Sequence, residues 1–442
     1  MLTPPSAIIC RWSQLLLTLS IIGSVALFRP AIESVLVVGA EAPADRDHEA
    51  RFQAARPELV RQLRRSDPES RRLALEQLSA YPCVSAAKLA LTATLEQNSV
   101  ELHRTAVATL MQFRNAESVC DYFHSIVARD LQSRDPLPST NTPRNGILLC
   151  VLLASDLPQI RQELDERLER LADSDLPMPV VWIALADQLG SQTSELGIEI
   201  LARLAKTQAF ARHYGFRRAV IGAMIETKQQ PVIDLLVSLL ATTKGETKGD
   251  IVRSLNRLRG DAADSDPNVP SYYKIAVHAQ RIVFILDSSN SMAGRRYVRA
   301  QETLTQAIQD LPEDTQFNVI SFHHAVYEWQ RKLAPANFAN KTAAVRFIRQ
   351  QTIQSDTASY EALKAAFRYD TEAIYFVTDG EPTVGRIRHP RDIIQAINLE
   401  NYARRITLNT IGIAVGPPGN NFDSFLKELA LQNRGEYRRV DE

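Results

Sequence analysis

The spacing of apolar residues changes character partway along the chain. From about residue 51 to residue 260 apolar positions recur at helical intervals. Leu59, Leu63, Leu73, Leu75 and Leu78 fall on helical faces, as do Val100, Leu102, Ala106, Val107 and Leu110, and later Ile198, Leu201 and Leu204. Alternating β-branched stretches are scarce. Proline or polar clusters break the pattern at Ser66-Asp67-Pro68, Tyr81-Pro82 and Gln97-Asn98-Ser99. Residues 51–260 are therefore predicted to be all-α. Ser66 or Asp67 caps a helix that has Pro68 in its first turn. Residues 132–146, rich in Pro, Ser, Thr and Asn, are expected to form a long surface loop.

A phrase repeats within this region. Residues 67–78 (DPESRRLALEQL) resemble residues 99–110 (SVELHRTAVATL), with a weaker echo at 248–258. The pattern resembles degenerate HEAT-type repeats, which implies helix pairs that bury their apolar stripes by stacking into a solenoid. A non-repetitive bundle has the same periodicity and stays open as the alternative. The segment contains no H-E-x-x-H, no G-x-S-x-G and no phosphate-binding glycine loop. His103, His124 and His213 stand alone. The region reads as a scaffold with a protein-binding surface.

Residues 261–272 are acidic, small and Pro-containing, and read as a linker across which few contacts pass. Beyond it, short apolar runs alternate with helical stretches. Residues 282–286 (IVFIL) form an unbroken apolar run, as expected of a strand covered on both faces. Strands are predicted at 316–322, 326–329, 373–378, 406–415 and 436–440. Helices are predicted at 296–311, 341–351, 359–369, 390–403 and 421–433. The chain is thus read as multidomain, an N-terminal all-α part followed by a C-terminal α/β doubly wound, mostly parallel sheet. Ligand sites in such sheets lie outside the carboxyl ends of the strands.

The notable polar residues sit at those ends. One strand runs into Asp287-Ser288-Ser289-Asn290-Ser291-Met292, and another ends in Thr378-Asp379-Gly380-Glu381. Between them a polar loop containing Ser355-Asp356-Thr357 opens a helix. Carboxylates and hydroxyls are hard oxygen donors, suited to Mg²⁺ or Mn²⁺ and poor for Zn²⁺ or Cu²⁺.

In these motifs residues 279–442 resemble the von Willebrand factor A domain with its metal-ion-dependent adhesion site. Asp287, Ser289 and Ser291 match its Asp-x-Ser-x-Ser motif. Thr357 matches the family threonine, and Asp379 the aspartate of its Thr-Asp-Gly run. The resemblance implies that Ser289, Ser291 and Thr357 lend hydroxyls to a Mg²⁺ or Mn²⁺, with Asp287 and Asp379 acting largely through bound water. It also implies a non-enzymatic, metal-dependent protein-binding or adhesion role, in which a partner's carboxylate reaches the metal. Ser355-Asp356 departs from the family's usual Gly-Gly. That departure is expected to alter the loop backbone and weaken Thr357 as a ligand.

Two other readings stay open. A metal-assisted hydrolase needs a base beside the metal, for which Glu381 is the candidate. A scaffold with a vestigial site needs none. A phosphatase of the Asp-x-Asp type is disfavoured, because Ser289 replaces the second aspartate. Arg295, Arg296, Arg386, Arg388 and His389 rim the motifs and would either steer an acidic partner or lie solvated at helix starts. His323-His324 reads as ordinary surface in a turn.

Composition narrows the partner class. Lys plus Arg number 51 and Asp plus Glu 51, for a formal net charge of zero, which argues against a nucleic-acid partner. Cys83, Cys120 and Cys150 form no C-x-x-C pair and read as buried small hydrophobes. Residues 1–40 read as an export segment, with Arg11 ahead of an apolar run at 15–28. Cleavage as a signal peptide, retention as a membrane anchor through residues 12–28 and a buried helix are the three alternatives. The first two make the protein extracytoplasmic.

Overall fold

Helices fill the N-terminal half because the apolar stripe repeats at the helical period. The computed structural model describes residues 43–96, 100–135, 137–172, 178–190, 195–260 and 269–441. The export segment at 1–40 and most of the expected linker, 261–268, lie outside the described residues. The helices are α1 (Pro43–Leu63), α2 (Pro68–Leu78), α3 (Val84–Glu96), α4 (Val100–Gln112), α5 (Glu117–Leu131), α6 (Thr142–Leu153) and α7 (Pro158–Ala172). They continue with α8 (Val180–Gly190), α9 (Glu195–Leu204), α10 (Gln208–Arg212), α11 (Tyr214–Thr227), α12 (Gln230–Leu239) and α13 (Gly245–Arg259). Among the described residues no helix is long and apolar enough to cross a membrane.

The chain divides into two compact units, Met1–Phe216 and Arg217–Glu442. In the first, alternate helices pack on one another: α2 on α4, and α6 on α8. Asp67 caps α2 as expected, accepting the N–H groups of Glu69 at 3.1 Å and Ser70 at 3.0 Å. The repeated phrase falls on α2 and α4, and Thr109 Oγ1 of α4 donates to Leu75 O of α2 at 2.8 Å. Leu75 and Leu78 are fully buried, whereas Leu73 is 43% exposed and lies off the packed stripe. Cys83, Cys120 and Cys150 are buried free thiols. The expected loop at 132–146 is shorter than its composition implies. Helix α6 starts at Thr142 and buries Asn145 and Gly146, since Pro143 fits a first helical turn.

In the second unit a seven-stranded sheet has the order β5-β4-β3-β7-β8-β9, with β6 also paired to β4. Its strands are β3 (Arg281–Asp287), β4 (Gln316–Phe322), β5 (Val326–Glu328), β6 (Ala334–Pro335), β7 (Ala373–Thr378), β8 (Thr407–Ile413) and β9 (Tyr437–Val440). A small hairpin, β1 (Ser271–Tyr272) with β2 (Ile275–Ala276), precedes it. β3, β4, β7, β8 and β9 are parallel, and β5 and β6 run antiparallel. The period-2 pleat splits the buried run of β3. Ile282, Phe284 and Leu286 face α14 (Arg295–Asp310) and α15 (Phe338–Gln350). Val283 and Ile285 face α16 (Ser359–Ala366), α17 (Pro390–Asn401) and α18 (Asn421–Gln432). The chain leaves β3 for β4 on one side and later returns to β7 on the other. The switch in winding falls between β3 and β7, which opens a crevice at their carboxyl ends.

Helix α13 joins this unit, so the expected independence of helices and sheet does not hold there. Glu372, just before β7, accepts the N–H of Glu246 in the first turn of α13 at 3.1 Å. It also accepts the N–H of Gln280 at 3.1 Å and pairs with Arg281 at 3.3 Å. The carboxylate thus satisfies an orphan donor at the positive end of the helix. Gly245 makes the approach feasible: its φ is +61°, and a Cβ there would stand 2.2 Å from Glu372 Oε2.

Candidate metal centre

Parallel pairing of β3 with β7, in register at Leu286 and Val377, sets Asp287 beside Thr378 at the sheet's carboxyl edge. Asp287 is fully buried. Its Oδ1 accepts the Ser289 N–H at 2.8 Å, and its Oδ2 accepts the Thr378 hydroxyl at 2.5 Å. The following loop is pinned to the end of β4, because Ser288 donates to Phe322 O through its N–H at 2.8 Å and its hydroxyl at 2.9 Å. A short 3₁₀ turn, Asn290–Met292, then buries Met292 completely and turns Ser291 back. The Ser289 and Ser291 hydroxyl oxygens are 3.1 Å apart, and Ser291 donates to Asp379 Oδ1 at 2.7 Å.

Thr357 joins this group from the third segment and is 3% exposed. A Cβ built on Gly380 would stand 3.1 Å from Ser291 Oγ and 3.8 Å from Thr357 Oγ1. The two hydroxyls therefore flank one small space beside Asp379, and glycine leaves that space open. Three anchors hold the Thr357 loop. The Gln354 N–H donates to Ser288 O at 3.0 Å, and the Ala358 N–H donates to His323 O at 2.8 Å. The Thr357 N–H donates to Thr383 Oγ1 at 2.8 Å, and the Thr383 N–H returns to Thr357 O at 3.0 Å. Asp356, at one of the two positions that depart from Gly-Gly, takes the left-handed conformation, φ +66°, which favours glycine.

The structure thus brings Asp287, Ser289, Ser291, Thr357 and Asp379 to one edge. Sequence reasoning missed the two threonines that orient them, Thr378 and Thr383. Thr378 had a signal in its place directly before Asp379. Thr383 had none, because its partner lies 26 residues away on another loop. Glu381 is exposed. Of the basic rim, Arg296 Nη1 stands 3.4 Å from Asp379 Oδ2 and 3.4 Å from Ser291 O. Arg386 folds instead over Tyr360, its guanidinium 5.5 Å from the ring centroid. His323 is buried rather than surface, with its Nδ1 3.0 Å from that of His324.

The electrostatics follow from burial. Asp287 is pushed up to about 7 by loss of water, against the hydrogen bonds from Thr378 and Ser289, and the Asp379 charge adds to the rise. Asp379 is raised too, again by burial, with Ser291 and Arg296 opposing. Two carboxylates share a site whose other donors are neutral hydroxyls and backbone N–H groups, apart from the Arg296 guanidinium beside Asp379. Such a site favours a cation. Among the described residues no three His, Cys, Asp or Glu side chains converge, so the oxygen-rich set owes its donors to hydroxyls.

Comparison with known proteins bears on this segment. The family model for the von Willebrand factor type A domain matches residues 282–442. Inter-alpha-trypsin inhibitor heavy chain H2 of Mesocricetus auratus is 31% identical over 175 residues, 36% of this chain and 18% of that protein. Heavy chain H4 of Homo sapiens is 30% identical over 179 residues, 37% of this chain and 18% of that protein. The match therefore spans less than a fifth of these relatives' length. Among solved structures, a von Willebrand factor type A protein from Catenulispora acidiphila aligns at 20% identity and a TM-score of 0.33, covering 38% of this chain and 40% of that one. The sheet order, the matched residues and the heavy-chain similarity agree: residues 282–442 are a von Willebrand factor type A domain.

Proposed function

We propose that this protein is a non-enzymatic, metal-dependent protein-binding protein. Asp287, Ser289, Ser291, Thr357 and Asp379 would hold Mg²⁺ or Mn²⁺ at the carboxyl edge of the sheet. The observation that carries the reading is the convergence of hydroxyls on two buried carboxylates. Ligand oxygens at right angles around Mg²⁺ stand about 3 Å apart, and the Ser289 and Ser291 hydroxyls are 3.1 Å apart. The bound ion would supply a positive charge little neutralised by its hydroxyl ligands, and so a seat for a carboxylate from a partner. The chain's own part is to orient the donors. Asp287 fixes the Ser289 backbone, Thr378 fixes Asp287, and Asp379 fixes Ser291. Similarity to the heavy chains over this same segment agrees with protein partners. The helical unit would offer a second protein surface. The leader pattern supports an extracytoplasmic site of action, with residues 12–28 as the membrane attachment if they are retained.

The test is thermal melting and calorimetry with millimolar Mg²⁺ and with chelator. A ligand that binds only the folded state adds about 1.4 kcal/mol at ten times its Kd. Wild type should melt higher with Mg²⁺, and Asp287→Ala should lose that shift. Identical wild-type curves without binding heat would overturn the reading.

A further inference from the structure

The first turn of α14 is built against the usual preference. A helix N-terminus carries the positive end of the backbone dipole and favours acidic residues. Here the first turn has no acidic residue and two arginines, Arg295 and Arg296, and Gly294 offers no side-chain cap. Arg296 contacts the candidate metal centre. Its Nη1 lies 3.4 Å from Asp379 Oδ2 and 3.4 Å from Ser291 O. The Asp379 side chain is 1% exposed and that of Arg296 is 32% exposed, so the guanidinium caps a buried carboxylate from the solvent side.

We propose that Arg296 is a built-in competitor of the metal, a tethered cation that neutralises Asp379 until an ion displaces it. The inference rests on the metal-binding reading above and adds a regulatory element to it. Metal affinity then reports a difference, the ion's attraction to the site less that of the guanidinium already there. A cation on a flexible stem at the solvent boundary can withdraw into water, so displacement needs no rearrangement of the sheet. The contact would raise the apparent Kd for Mg²⁺, so the domain would load at a higher free Mg²⁺ concentration than the same site without the guanidinium.

The test is a calorimetric Mg²⁺ titration of the intact protein and of Arg296→Met, Arg296→Gln and Arg296→Lys, with melting in chelator to check folding. Removing the charge should tighten Mg²⁺ binding on the order of tenfold at low ionic strength, and the gain should shrink as salt screens the half-exposed charge. Arg296→Lys keeps the charge without the planar fork and should fall between. If Arg296→Met fails to fold, Arg296→Gln decides. Wild-type binding that Met or Gln leaves unchanged or weakens would overturn the competitor while leaving the metal site intact. Binding in the neutral variants alone would support the proposal in its strongest form. Binding in none would remove the metal reading and this inference together.

Discussion

The Thr357 loop offers the most discriminating perturbation, Thr383→Val. The substitution keeps side-chain volume and removes the one oxygen that accepts the Thr357 N–H at 2.8 Å. The return bond from the Thr383 N–H to Thr357 O is backbone and stays. A neutral hydrogen bond contributes about 0.5–1.5 kcal/mol net, and a buried donor left without a partner costs about 1–3 kcal/mol. Thr383 is itself exposed, so water partly replaces the lost acceptor, and the expected loss is about 1–2 kcal/mol. That loss falls on a loop already holding Asp356 at φ +66°. Charged wholly to loop order, it corresponds to roughly 5- to 30-fold in Mg²⁺ affinity. Calorimetric titration of wild type, Thr383→Val and Thr383→Ser reads it directly. The serine retains the oxygen and should retain the affinity. Equal affinity in all three would refute the claim that Thr383 positions Thr357, and an equal loss in Val and Ser would assign the effect to the methyl group instead.

Glu372→Ala should lower the stability of the unit Arg217–Glu442 by about 3–5 kcal/mol in denaturant melts, because it takes the acceptor from two N–H groups and one of the carboxylate partners from Arg281; an unchanged midpoint would mean that α13 is not held there. Leu75→Ala should cost about 2–5 kcal/mol, and Leu73→Ala well under about 1 kcal/mol; similar melting of the two would contradict the burial order in α2. Asp423 is held below the usual carboxylate range: burial alone would raise it, but the Tyr437 hydroxyl, the Gly419 N–H and Arg439 outweigh burial. A carboxylate lowered by folding stabilises the fold above its unfolded pKa, about 3.9, and loses that contribution as pH falls through the lowered value. Asp423→Asn should therefore melt below wild type at neutral pH and converge with it in acid; a constant gap down to about pH 2 would argue against the linkage.

The parts of the molecule that were legible in the sequence are those whose cause is local. The run at 282–286 announces β3 because a strand covered on both faces has no polar side to show. The bounds Ala373–Thr378 were readable for the same reason. Asp287, Ser289, Ser291 and Asp379 stand out as candidates because they follow strand ends in recognisable runs, and Thr357 because its polar loop opens a helix. What escaped depends on segments distant in sequence. Thr383 matters only because its loop lies against that of Thr357. Gly245 resembles a helix breaker in a charged stretch, and its purpose appears only when Glu372 arrives from more than a hundred residues away. Leu73 shares a helix with Leu75, and period alone could not say which edge of the stripe packs.

The two ends of the sheet use the same residue types to opposite effect, and the contrast is an argument for where binding occurs. At the amino-terminal end, Arg218 pairs with Asp250 at 2.7 Å, and Arg253 pairs with Glu246 at 2.7 Å and Asp250 at 2.8 Å. Arg218 also donates to Arg405 O at 2.7 Å. Burial opposes ionisation of Asp250, but the two arginines outweigh it, and its carboxyl is held below the usual range. At the carboxyl-terminal end, Asp287 and Asp379 have hydroxyl donors and one guanidinium at 3.4 Å from Asp379, and both are raised. Burying charge is tolerable when the chain supplies the counter-charge, and the first cluster is complete in that sense. The second is under-compensated by its own residues. A fold that merely needed stability would place apolar side chains there, as it does along the rest of β3 and β7. Retaining two buried carboxylates beside three hydroxyls makes sense if the missing positive charge comes from outside the chain.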